Sequence, residues 1–210
     1  MRVKVCGVTR AEDLDMVLGL GVDAVGFNFH PGSPRFVTDR QAAELVRRVP
    51  AGVATIGVFV HQSLHEVAAK MDASGVGWAQ FHGDRTSAEL ARFPRPWYPV
   101  LRPGEGETRL DDPWPTPFVL VDARLPSAYG GTGRQADWQV AASLARKRRV
   151  ILAGGLGPHN LPDAVKAVCP WGVDLNSGVE TSPGCKDRRR LEQALAALSP
   201  WRESPEEGIR

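Results

Sequence analysis

The 210-residue sequence predicts an α/β protein, a single (β/α)8 barrel of the TIM-barrel class. Three observations predict it. Short apolar, β-branched runs recur at 2–6, 23–29, 54–60, 77–81, 97–101, 117–122, 149–153 and 172–176. Longer stretches with helical periodicity separate most of them, as in a parallel sheet with helical crossovers. The length suits one domain with a full core. Eight β-then-α units in one domain point to a closed barrel over residues 1–199, with a doubly wound open sheet as the alternative.

The first strand, Val3-Lys4-Val5-Cys6, alternates apolar and reactive side chains, so one face carries the valines and the other carries Lys4 and Cys6. Apolar valines face the helices, which leaves Lys4 and Cys6 pointing into the barrel. Thr9 with Glu12, Thr38 with Gln41, and Ser63 with Glu66 each have the spacing of a capping box at a helix start. The fourth strand ends on Gln80 and His82, which share a face. Segment 103–117 is rich in proline and glycine without a helical period, so an irregular crossover is expected there. The sixth strand, Phe118-Val119-Leu120-Val121-Asp122, is apolar until its last residue.

Pro158 suits the first turn of a helix whose inner face is Leu161, Ala164, Val165 and Val168. The eighth strand places Asp174 and Asn176 on one face. The last helix repeats Leu191, Ala194, Leu195 and Leu198 at the same period. The polar stretch 200–210 reads as a loose tail.

Composition narrows the function. The net charge of +2 is too small for a nucleic-acid surface. The basic run Arg146-Lys147-Arg148-Arg149 reads as the solvated end of a helix. Three cysteines make no disulfide framework and suit a reducing compartment. No apolar run reaches the length of a membrane span, and the N-terminal residues carry no signal pattern. The cytoplasm is the expected compartment, and a monomer or homodimer the expected assembly.

In this architecture chemistry sits at the carboxyl ends of the strands. Cys6, His82, Asp122 and Asp174 all fall there. Each has a plainer reading: Cys6 as a small core residue, His82 bonded to a carbonyl, Asp122 as a turn cap, Asp174 as a structural partner of Lys4. Their distribution over four strands favours a shared site. Gly154 and Gly155 follow the seventh strand, and Ser177 and Gly178 follow the eighth. Glycine lets backbone N–H groups approach a ligand, and these two loops usually hold phosphate in such barrels. A third loop, Gly130-Gly131-Thr132-Gly133, lacks the lysine of a Walker motif and reads as a flap. His61 and His65 do not form a metal-binding helix motif, and no cysteine pair has zinc spacing.

Taken in order, these segments resemble the phosphoribosylanthranilate isomerase family. The matching blocks include Lys4-Val5-Cys6-Gly7, Gly26-Phe27-Asn28-Phe29, Ser33-Pro34-Arg35, Gln80-Phe81-His82-Gly83-Asp84, Leu120-Val121-Asp122 and Gly130-Gly131-Thr132-Gly133. Ala153-Gly154-Gly155-Leu156, Val173-Asp174, Ser177-Gly178-Val179-Glu180 and Lys186-Asp187 complete the series. The resemblance implies an Amadori rearrangement in tryptophan biosynthesis, with a small phosphorylated substrate and neither cofactor nor metal. It implies Cys6 as general base and Asp122 as general acid. It implies Arg35 at the anthranilate carboxylate, His82 and Asp174 lining the site, and Gly154, Gly155, Ser177 and Gly178 at the phosphate.

The chemistry fits these residue types. Opening the furanose ring needs a proton at its oxygen, and an apolar strand end favours a protonated carboxyl. Removing the proton from the adjacent carbon needs a base, and a thiolate beside a cation can serve. Arginine suits a planar carboxylate because its fork is bidentate. Two rivals remain: an Amadori isomerase of histidine biosynthesis, which usually has aspartate where Cys6 stands, and a non-catalytic barrel that binds a phosphorylated ligand.

Overall fold

The structure is a computed structural model that describes residues 1–103, 112–123 and 133–202, with the side chains of 133–137 outside the description. Its centre is a closed barrel of eight parallel strands: β1 (Arg2–Val5), β2 (Ala24–Asn28), β3 (Ala54–Phe59), β4 (Trp78–Phe81), β5 (Trp97–Leu101), β6 (Phe118–Asp122), β7 (Arg149–Ala153) and β8 (Gly172–Leu175). β1 closes the ring on β8, with Lys4 opposite Asp174. The open-sheet alternative is thereby excluded.

Seven helices surround the barrel among the described residues: α1 (Ala11–Gly19), α2 (Asp39–Val46), α3 (Leu64–Ser74), α4 (Ser87–Leu90), α5 (Gly133–Ala145), α6 (Leu161–Val168) and α7 (Arg188–Arg202). A small antiparallel pair, β9 (Glu180–Ser182) and β10 (Cys185–Lys186), follows β8. The flap residues Gly130, Gly131 and Thr132 and part of the irregular crossover, 104–111, lie outside the described residues.

Strand alternation sorts the side chains as the sequence pattern requires. Val3, Val5, Val119, Val121, Val173 and Leu175 face outward, fully buried with the helix residues Leu14, Val17, Leu161, Val165, Leu191 and Leu198. Inside the barrel a second cluster of Ile56, Tyr98, Val100, Phe118, Leu120 and Ile151 fills the lower layers. Above it lies a polar layer, described below. At the amino ends of the strands a cavity of about 140 Å³ is walled by aromatic and aliphatic side chains such as Trp78, Phe118 and Trp171.

Helix starts follow local chemistry with one exception. The capping boxes at Thr38 and Ser63 both form. The one expected at Thr9 does not. Its hydroxyl donates to the Gly184 carbonyl across the barrel mouth, and α1 begins after Arg10, which clamps Asp13 at 2.8 and 2.9 Å. Pro158 lies in the turn before α6, and Pro162 sits in that helix's first turn. Arg148 does not simply meet solvent: it donates to the carbonyls of Asp112 and Trp114 and ties α5 to the crossover into β6.

The last helix continues past Pro200 to Arg202, where the sequence suggested a loose tail. Proline removes the N–H that would reach the Ala196 carbonyl. Ser199 supplies a substitute, its hydroxyl donating to that carbonyl at 2.9 Å. The amino group of Met1 donates to the Trp201 carbonyl, which ties this last turn to the start of β1. Residues 203–210 lie outside the described residues.

Candidate active site

A cavity of about 530 Å³ opens over the carboxyl ends of the strands. Cys6, Arg35, His82, Asp122, Gly154, Gly155, Asp174 and Ser177 all stand on its wall. Gly178 does not. It lies beneath the wall, packed so closely on the loop after β7 that a Cβ would meet the Leu156 carbonyl oxygen at 2.1 Å. Only glycine lets the two loops approach in this way.

Lys4 organises the polar layer under the cavity. Its ammonium donates to Asp174 Oδ2 at 2.6 Å and to Gln80 Oε1 at 3.0 Å. Tyr98 Oη donates to the same Gln80 oxygen at 2.9 Å. All four residues are buried. Burial works against the charge on Lys4, but Asp174, Cys6 and Tyr98 together outweigh it and hold the ammonium's pKa above its ordinary value. The structural pairing that the sequence allowed for Asp174 is therefore present. It uses one carboxylate oxygen only. Oδ1 is buried without a hydrogen-bond partner among the described residues, and the residue lines the cavity. A buried acceptor left unsatisfied is costly, and this oxygen retains the capacity to accept from a hydroxyl or N–H.

Cys6 directly follows β1, with its thiol beside Lys4. Burial pushes the thiol above its ordinary range, and Lys4 pulls in the other direction. Space for the sulfur comes from β2, where Gly26 has no side chain to collide with it. Across the cavity, Asp122 closes β6 by the same alternation that buries Phe118 and Leu120 inside the barrel. Its Oδ2 lies 3.8 Å from Nε of Arg102, which follows β5.

His82 is held by its backbone, its N–H donating to the Phe59 carbonyl at 2.8 Å. Its Nε2 lies 3.0 Å from Gln80 Nε2 and its Nδ1 lies 3.3 Å from Arg102 Nη2. Arg35 reaches in from the loop after β2. Its Nε and Nη2 clasp Glu180 of β9 at 2.5 to 3.1 Å. Glu180 also accepts from Lys186 Nζ at 2.7 Å, and Lys186 donates in turn to the carbonyl of Cys6 and to Asn176. Burial works against the Glu180 carboxylate, yet the hydrogen bonds from Arg35 and Lys186 hold its pKa below the ordinary value. The β9–β10 pair therefore buttresses both the arginine and the end of β1.

Gly154 and Gly155 both take positive φ, 109° and 68°, a turn that side chains resist. Asn160 braces this turn, accepting from the Gly157 N–H and donating to the Gly155 carbonyl. The 3-10 turn Ser177–Val179 lies beside it. Among the described residues no three His, Cys, Asp or Glu side chains gather in a way that could hold a metal ion.

Sequence reasoning did not single out Arg102, Tyr98, Glu180 or Lys186. Arg102 had a usable signal, as the first polar residue after an apolar strand. Glu180 and Lys186 stood in the matching family blocks but were given no role, because strands of two and three residues have no readable period.

Comparison with known proteins matches this arrangement. Residues 3–197 match the family model described as N-(5'phosphoribosyl)anthranilate (PRA) isomerase. The N-(5'-phosphoribosyl)anthranilate isomerase of Pelobacter propionicus is 40% identical over 197 residues, covering 93% of this chain and 94% of that protein. Among solved structures, phosphoribosyl anthranilate isomerase from Thermus thermophilus is 36% identical, with a TM-score of 0.81 over 96% of this chain and 100% of that one. Another isomerase structure, in complex with reduced 1-(o-carboxyphenylamino)-1-deoxyribulose 5-phosphate, superposes with a TM-score of 0.80 at 26% identity, covering 95% of this chain and 99% of that one. With a closed barrel, a thiol and a carboxyl on one cavity wall and the family pattern over nearly its whole length, the chain belongs to the phosphoribosylanthranilate isomerase family.

Proposed function

We propose that Cys6 is the general base and Asp122 the general acid in the isomerisation of N-(5-phosphoribosyl)anthranilate to 1-(2-carboxyphenylamino)-1-deoxyribulose 5-phosphate. The overall reaction is the family's, a step of tryptophan biosynthesis. The observation that carries the assignment is that thiol and carboxyl, from β1 and β6, line one cavity with the glycine loops of β7 and β8 along its edge.

Asp122 gives its proton to the furanose oxygen as the bond from that oxygen to C1′ breaks. The nitrogen lone pair forms the C1′=N bond of a protonated Schiff base. The Cys6 thiolate then takes the C2′ proton, and the electrons of that C–H bond form C1′=C2′ while those of C1′=N return to nitrogen. Tautomerisation of the resulting enol gives the ketone. Each positioned acid or base contributes about 10²–10⁴ in rate.

Around this pair, Gly154, Gly155, Ser177 and Gly178 form the phosphate cradle, with Gly178 supporting it from beneath. Asp174 Oδ1 accepts a hydrogen bond from a ribose hydroxyl. Arg35 receives the anthranilate carboxylate through Nη1, since Glu180 takes its other edge. His82 lines the site. Three free cysteines support a reducing compartment, the cytoplasm. A small phosphorylated molecule is the partner, with no nucleic acid or membrane, and the chain works as a monomer or homodimer.

Loss of substrate fluorescence on adding the protein to freshly made N-(5-phosphoribosyl)anthranilate tests the reading. Cys6→Ser and Asp122→Asn should each lower turnover by about 10²–10⁴. Either variant turning over at the wild-type rate overturns the role assigned to that residue.

A further inference from the structure

The loop that carries Arg35 is fastened by one residue, Asn28, the last of β2. Its backbone carbonyl accepts from the Val37 N–H at 2.9 Å and closes the loop at its neck. Its side chain shares the inward face of β2 with Gly26 and reaches into the loop. One terminal atom of the amide lies 2.8 Å from the His30 backbone nitrogen. A backbone N–H only donates, so that atom is Oδ1. The other terminal atom is then the NH₂ group, and it lies 3.1 Å from Ser33 Oγ.

These contacts give the Ser33 hydroxyl a direction. Its oxygen also accepts from the Arg35 backbone N–H, at 3.1 Å. A hydroxyl has two lone pairs and one proton. Asn28 and Arg35 occupy both lone pairs, so the proton is directed away from them. Among the described residues nothing accepts it. Asn28, Ser33 and Arg35 all stand on the wall of the cavity over the strand ends. Ser33 is thus a donor on that wall, two residues from the guanidinium. A carboxylate has two oxygens to satisfy, and Glu180 leaves Arg35 only part of its fork to offer.

We propose that Ser33 is a binding residue for the anthranilate carboxylate, donating to one of its oxygens while Arg35 holds the other, and that Asn28 is the positioning residue that turns the Ser33 proton toward the cavity. The inference rests on the reading above that Arg35 receives this carboxylate. A hydrogen bond to a charged acceptor is stronger than one to a neutral group, so the two donors select for an anionic substituent on the ring.

Calorimetric titration with two ligands tests both parts: reduced 1-(o-carboxyphenylamino)-1-deoxyribulose 5-phosphate, and its phenylamino counterpart without the carboxyl group. Pro31, Gly32 and Pro34 around Ser33 are exposed, so Ser33→Ala leaves the core untouched. It should weaken the first ligand about tenfold and leave the second unchanged. Ser33→Thr keeps the hydroxyl and should bind both as wild type does. Equal weakening of both ligands in Ser33→Ala, or no weakening of the first, overturns the binding role. Asn28→Asp tests the positioning role. One carboxylate oxygen still accepts from the His30 N–H, but the other accepts where the amide donated, and it claims the Ser33 proton. Asn28→Asp should therefore weaken the first ligand, and Ser33→Ala added to it should cost nothing further. Additive losses would mean that the new charge acts on the ligand directly, and would overturn the role of Asn28. Arg35→Ala separates this inference from its premise. If that variant binds the first ligand as wild type does, the carboxylate reading itself fails. If it weakens binding while Ser33→Ala does not, the carboxylate reading stands and Ser33 is removed from it.

Discussion

A Cβ added to Gly26 would stand 2.8 Å from the sulfur of Cys6 and 3.1 Å from Cε of Lys4. The second strand thus leaves vacant the space into which the first strand's thiol and ammonium project. Gly26→Ala should force both side chains to shift. Overpacking of this kind costs about 1–3 kcal/mol of stability. We expect a lower melting temperature and a fall in kcat larger than the change in KM, because the thiol moves while the phosphate loops stay. A variant with wild-type kcat would mean that the sulfur has room to spare.

The Cys6 thiol gives the reaction a pH signature. Burial raises its pKa, Lys4 lowers it, and burial wins. The base has to be the thiolate, so kcat/KM should rise with pH on a limb lying above the ordinary thiol value of about 8.5. The sign for stability runs the opposite way. A folded pKa above the unfolded one contributes stability that is complete below the unfolded value and is lost as pH rises through the folded one. The melting temperature of wild type relative to Cys6→Ala should therefore fall on the alkaline side. An activity limb below the ordinary thiol range would show that Lys4 dominates.

Arg35 is clasped by Glu180 along one edge, and its remaining donors are offered to the carboxylate of the substrate. Arg35→Ala should raise KM by about tenfold or more, the loss of one charge-assisted contact, with a smaller effect on kcat. An analogue lacking the carboxylate should bind wild type and variant equally. An unchanged KM for the true substrate would remove Arg35 from carboxylate capture.

How much of this was legible depended on the range of the interactions. Strand identities follow from a period of two, which put Lys4 and Cys6 on the inward face of the first strand and Asp122 and Asp174 at the carboxyl ends of theirs. Capping boxes at Thr38 and Ser63 are closed within four residues and were equally readable. Thr9 has the same local spacing, but its partner is Gly184, 175 residues away, and no local rule anticipates it. Pro200 announces a helix end, yet the Ser199 hydroxyl and the Met1–Trp201 bond keep the last turn. The buried network of Lys4, Gln80 and Tyr98 draws on three strands, and only the folded barrel brings it together.

Glu180 offers the sharpest test of the buttress behind the site. Its side chain is 3% exposed and balances Lys186, whose side chain is fully buried, together with Arg35. Removing one partner of a buried ion pair leaves an uncompensated charge and costs about 3–5 kcal/mol. Glu180→Gln should lower stability by that order and, by unmooring Arg35, raise KM. Its pH dependence has a definite sign. The folded pKa is below the ordinary one, so the stabilisation is present above the unfolded glutamate value of about 4.3 and is lost as pH falls through the folded value. The difference in denaturant midpoint between wild type and Glu180→Gln should therefore be large at neutral pH and shrink in acid. Adding Lys186→Met to Glu180→Gln removes the stranded charge and should recover much of the stability but not the KM, because Arg35 still lacks its carboxylate. If the double variant were no more stable than Glu180→Gln alone, the cost would lie in lost packing rather than in the unpaired ammonium.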